Sequence, residues 1–99
     1  MEYEQLEQDY RDDHLAEAMY QREAEWFHYD FDRINFERML TALPPVGEYR
    51  EQIEGRLKTT RAQMVAVDLV YAALKSQIID TARHQAAIAR VAGKRLAGK

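Results

Sequence analysis

Cysteine is absent from this 99-residue chain, which excludes disulfides, a thiolate nucleophile and cysteine-ligated zinc. Proline occurs twice and glycine four times, so there are few places where a helix must break. Ser76 is the only serine. No His or carboxylate stands at triad-like local spacing from it, and there is no glycine-rich loop to cradle a phosphate. Long apolar runs are missing as well. The longest, 64–74, has eleven residues and contains Asp68, too short and too polar to cross a bilayer. The first residues show no basic segment followed by an apolar one, so no secretory signal is expected and the chain reads as cytoplasmic.

What is present is the composition of a folded protein. Apolar residues make up 46% and charged residues 31%, inside the globular range and outside the disordered one. The length suits one domain with a modest core. The net charge of −3 conceals a split: residues 1–43 carry −8 and residues 44–99 carry +5. Such a split implies that the halves face each other or that each faces a partner.

Leu43-Pro44-Pro45-Val46-Gly47 is the one Pro/Gly cluster, and proline cannot continue a helix. Both sides of it are rich in Ala, Glu, Gln, Arg, Leu and Met, the better helix formers. Glu7–Arg11, Arg33–Glu37 and Glu54–Lys58 have the i,i+4 spacing of helix-surface ion pairs. The expected fold is therefore all-α: an antiparallel hairpin of two long helices in a single domain. One arm covers about 2–42 and the other about 48–92, with a frayed basic tail over 93–99. The apolar pattern lapses at Arg11-Asp12-Asp13-His14, where an Asp could cap a new helix, so residues 2–11 are a candidate separate helix.

In the second arm Ile53, Leu57, Thr60, Met64, Val67, Tyr71, Leu74, Ile78 and Thr81 recur at 4-3 spacing. This is a coiled-coil-like heptad seam. A second stripe, Val65, Leu69, Ala72 and Ile79, lies on the far side, so the helix is apolar nearly all round between 64 and 74. The first arm carries two stripes also: Tyr20, Ala24, Phe27, Phe31 and Ile34, and beside them Leu15, Met19, Trp26, Tyr29, Phe36, Leu40 and Leu43.

Folding the arms about the Pro-Pro turn sets residue i roughly opposite 91 − i. The basic end then passes the acidic start and accounts for much of the charge split. Two helices cannot enclose two stripes each, and an apolar patch of several hundred Å² normally marks an interface. The surface expected to stay uncovered includes Trp26, Tyr29, Phe36, Val65, Leu69 and Ile79. A homo-oligomer built on the second helix is therefore expected, a dimer forming a four-helix bundle being simplest. Its interface would draw on Met64, Val65, Val67, Leu69, Tyr71, Leu74, Ile78 and Ile79.

Candidate chemistry is sparse. Glu25-Trp26-Phe27-His28 has the Glu-x-x-His spacing of di-iron bundles, with Asp32 one turn on. However, the bundle chemistry needs two such motifs and two further Glu, and no Glu follows residue 54. The plainer reading is a polar edge on the aromatic stripe, and no metal or cofactor is expected. His14 with Asp12 and Asp13 reads as a capping cluster, and His84 with Asp80 as a helix-surface pair. Asp68 interrupts the most apolar run; it reads either as a residue meeting a nearby Arg or Lys or as a device fixing oligomer register.

The functional expectation is a non-enzymatic, oligomeric helical interaction protein, an adaptor or inhibitor that binds another macromolecule, most simply another protein. Its partner-binding residues would be Trp26, Tyr29 and Phe36, or the acidic residues Asp9, Asp12 and Asp13, which could imitate a nucleic-acid backbone. Small, cysteine-free, motif-poor helical chains are common among phage-encoded proteins, and a viral protein acting in the host cytoplasm is one expectation from that composition. Two alternatives belong to other classes. An oligomer could sequester an anionic small molecule with Arg56, Lys58 and Arg61 near Tyr10 or Tyr20. A nucleic-acid binder would use the basic second arm, a use disfavoured by the acidic net charge.

Overall fold

The computed structural model describes residues 2–98, and no strand occurs among them. The described residues form three helices: α1 (Glu2–Ala42), α2 (Glu48–Lys75) and α3 (Thr81–Ala97). No helix is long and apolar enough to cross a membrane among the described residues. The chain divides into two compact units. One joins the chain up to Gln21 to the chain from Tyr71 onward; the other is Arg22–Val70.

α1 runs unbroken through Arg11-Asp12-Asp13-His14, so the separate helix allowed for at 2–11 does not form. Asp12 and Asp13 lie inside the helix and cap nothing; their carboxylates accept from Arg83 and Arg90. Side chains one turn apart support the helix, with Gln5 donating to Asp9 at 2.9 Å and Arg11 to Glu7 at 3.2 Å. Glu2 and Glu4 sit in its first turn, the end where negative charge is favourable.

α1 stops where the prolines require it. Its last turn holds no basic residue of its own; Arg50 of α2 supplies one, donating to the Leu40 carbonyl at 3.0 Å and the Pro44 carbonyl at 3.2 Å. The first of these is an acceptor that a helix end leaves open. Gly47 closes the turn at φ +145°, a backbone conformation that residues with a Cβ resist.

The second arm is not one helix over 48–92. α2 ends at Lys75, where the Gln77 and Ile78 amides donate to the Leu74 and Lys75 carbonyls, a tightened 3₁₀-type finish. Asp80 is extended (φ −129°, ψ 111°) and its carboxylate accepts from the Arg83 amide, capping α3. The tail expected to fray is helical through Ala97.

Each unit has its own packing. In Arg22–Val70 the α1 and α2 segments run antiparallel, with Arg50 reaching Leu40 and Arg61 reaching Glu37. Ile53, Leu57, Thr60 and Val67 are buried there. In the other unit, Asp12 meets Arg83, Asp13 meets Arg90 and Glu17 meets Arg95. The numbers climb together, so α3 lies parallel to this part of α1, opposite to the direction a simple hairpin gives. Ala16, Ala87 and Val91 form its apolar centre, with Met19 and His84 also buried.

Candidate interaction surfaces

The heptad seam of the second arm, carried by α2 and the turn after it, faces inward. Ile53, Leu57, Thr60 and Val67 are buried and Met64, Tyr71, Leu74 and Ile78 half-buried. Five residues expected at an oligomer interface, Met64, Val67, Tyr71, Leu74 and Ile78, are therefore covered largely by their own chain. The other three lie outside: Val65 is 58%, Leu69 68% and Ile79 97% exposed.

On α1 the two stripes exchange the roles expected of them. Trp26, Tyr29 and Phe36, anticipated as uncovered, are half-buried with Leu40 and Leu43. The uncovered stripe is the other one, with Ala24 exposed, Phe27 and Phe31 each 65% exposed, and Ile34 exposed. Trp26 stays edge-on to Phe27, with ring centroids 5.5 Å apart, and its indole N–H is buried without a partner.

The acidic segment is not a free face. The Asp12 carboxylate accepts from Arg83 at 2.8 Å, Asp13 accepts from Arg90 at 2.8 Å with Lys94 at 3.8 Å, and Asp9 lies 3.9 Å from Arg90. Arg95 pairs with Glu17 and sets its guanidinium 3.8 Å above the Tyr20 ring, a cation–π contact. These pairs set part of the acidic start against the basic end. The cations of α2, Arg56, Lys58, Arg61 and Lys75, lie outside them and are exposed.

A second ionic cluster lies in Arg22–Val70. Arg33 donates to Asp30 and to Glu37, each at 2.8 Å, and Arg61 donates to Glu37 at 2.8 Å. The hydrogen bond from Arg61, then that from Arg33, lowers the Glu37 carboxyl below its ordinary value. Hydrogen bonds to Asp30 and then Glu37 raise the Arg33 guanidinium.

The sequence-level histidine sites resolve differently. Glu25 pairs with Arg22 at 2.7 Å, and His28 lies 3.7 Å from Asp32. No group of three or more His, Asp or Glu among the described residues is placed to hold a metal ion. His14 meets the Tyr10 hydroxyl at 3.1 Å, not a capping aspartate. His84 is buried rather than paired with Asp80, and its Nδ1 has no partner. An open groove is lined by Asp32, Phe36, Gln52, Arg56 and Thr59. Of the three cations suggested for an anionic ligand, it holds Arg56 alone.

Sequence reasoning missed the burial of His84 and the cap at Asp80. The signal for the cap was present, since Asp80 follows the β-branched pair Ile78-Ile79, a poor helix sequence. Comparison with protein-family models, with curated proteins and with solved structures finds no match for this chain.

Proposed function

We propose that this protein works by contact, as a non-enzymatic helical interaction protein that self-associates and acts as an adaptor or inhibitor of another protein. The observation that carries the reading is the pair of uncovered faces within Arg22–Val70. Phe27, Phe31 and Ile34 stand on the side of α1 away from its packed stripe, and Val65 and Leu69 stand on the side of α2 away from its seam. Covering a largely exposed Phe contributes about 2 kcal/mol, so a partner laid along the α1 face gains much from two of them. Aromatic anchors of this kind carry protein interfaces.

The alternatives draw less support. Most basic groups of α3 are engaged by Asp12, Asp13 and Glu17, and the exposed cations of α2 are interleaved with the exposed acids Glu51, Glu54 and Asp68, a mixed surface that suits a nucleic-acid backbone poorly. The groove with Arg56 also contains Asp32, poorly suited to an anion.

The test is capture of a partner by immobilised protein, comparing the wild type with the doubly substituted Phe27→Ser, Phe31→Ser chain. Both side chains are surface groups, so the thermal midpoint should hold while one dominant bound protein is lost. Identical capture by both chains, or turnover of a substrate by the purified protein, would overturn the reading. Copurifying nucleic acid or a small ligand, seen by absorbance ratio or native mass spectrometry, would favour the alternatives.

A further inference from the structure

The outward face of α2 carries a second heptad register that its own chain does not use. Gly55, Lys58, Ala62, Val65, Leu69 and Ala72 follow one another at 3-4-3-4-3 spacing, and every one is exposed. A Cβ added at Gly55 would meet nothing within 4 Å. No packing inside the chain therefore demands glycine there, although glycine weakens a helix interior. Beside this stripe, on one edge, every seventh residue is charged and the sign alternates: Glu54, Arg61, Asp68, Lys75. All four are exposed. The opposite edge, Thr59, Ala66 and Ala73, carries no charge.

We infer that this face binds the same face of a second copy with the two α2 helices antiparallel, in a register set by Arg61 against Asp68 of the partner subunit. This rests on the reading that the outward face of α2 is a self-association surface. The logic is that of flanking charges in a coiled coil. In an antiparallel pair the same edge of each helix meets its counterpart, whereas in a parallel pair opposite edges meet. Only the antiparallel arrangement therefore brings charged edge to charged edge. One alignment then matches every sign at once: Arg61 with Asp68 and Glu54 with Lys75, each twice by the two-fold symmetry. The same alignment sets Ala62 opposite Val65, Gly55 opposite Ala72, and the Lys58 stem along Leu69, so a small residue or a flexible stem always faces a larger one. Shifting by one heptad opposes like charges.

Within the chain Glu54 is already paired with Arg50 at 2.9 Å, and the state of Arg61 and Asp68 agrees with the pairing. The Asp68 carboxylate makes no hydrogen bond or ion pair with another described residue, although it interrupts the most apolar stretch of the sequence. Arg61 already reaches Glu37, yet its side chain remains 59% exposed, leaving room for a second carboxylate.

The experiment uses the full chain at tens of micromolar, measured by sedimentation velocity. The wild type is expected to dimerise. Asp68→Arg and Arg61→Glu each oppose like charges across the two-fold axis and should each raise the dimer Kd at least tenfold. Mixed in equal amounts, the two variants present opposite charges to each other and should form a heterodimer. Asp68→Arg breaks no intrachain pair, so its effect does not depend on the fold, and circular dichroism controls for the loss of Arg61–Glu37 in the other chain. Spin labels at position 51 should lie roughly 40 Å apart, the distance set by the helical rise along two opposed helices. A dimer indifferent to both reversals, or labels within about 15 Å as parallel neighbouring helices would place them, overturns this inference while leaving self-association standing. A wild-type chain that stays monomeric overturns both.

Discussion

Glu37 shows how much of the ionic architecture could be read from spacing and how much could not. Its pairing with Arg33 follows from i,i+4 geometry, but the bond from Arg61, 24 residues away in sequence, depends on how α2 lies against α1. The two arginines hold the carboxyl below its ordinary value of 4.5. The folded chain therefore releases this proton more readily than the unfolded one. Its contribution to stability is complete above that ordinary value and disappears as the pH falls through the lowered one. Glu37→Gln should accordingly flatten the fall in denaturation midpoint below about pH 4.5, the ordinary carboxylate range, in urea titrations run across acid pH. An unchanged acid profile would mean that the pair contributes nothing. His84 was illegible for the opposite reason. One helical turn from Asp80, it has the spacing of a surface pair, and only the packing of α3 on α1 buries it.

At the scale of the helix, α1 and its stop at the prolines were legible because composition and turn chemistry agree. The division of the second arm was not legible in its period, and its one signal was the β-branched pair Ile78-Ile79 before Asp80. The 4-3 spacing continues through Ile78 and Thr81 as though the helix did too, and a periodic pattern has no term for a cap that interrupts it. The cost is visible in direction: α3 lies parallel to the start of α1, held by a small apolar centre and a ladder of ion pairs. Ala87 is fully buried between Ala16 and Val91, so Ala87→Leu should overpack that contact at a cost of about 1–3 kcal/mol. Hydrogen exchange would show α3 amides opening about tenfold faster or more, the equivalent of about 1.4 kcal/mol, with the amides around Ile53 and Leu57 little affected. Uniform acceleration throughout would instead show that α3 does not open separately. Which of the two α1 stripes turns inward was likewise beyond pattern alone, because both have helical spacing.

For the whole molecule, the all-helical class, the central turn and the excess of apolar surface were legible, since each is a property of composition and period. The direction in which α3 runs was not, and it bears on the order of events when the protein forms. The pair that closes Arg22–Val70 spans 24 residues, whereas Asp12–Arg83 and Glu17–Arg95 span 71 and 78. Closing the longer loops costs about 1 kcal/mol more in chain entropy, and their contacts need both ends of the polypeptide. Pulse-labelled exchange during refolding should therefore protect amides near Ile53 and Leu57 before those near Ala87, and simultaneous protection would argue against this sequence of steps. On the ribosome the asymmetry is sharper. A nascent chain can complete its central hairpin while the arginines that neutralise its acidic start are still untranslated, so that start emerges as an unmatched negative strand and finds its counter-charges only at release.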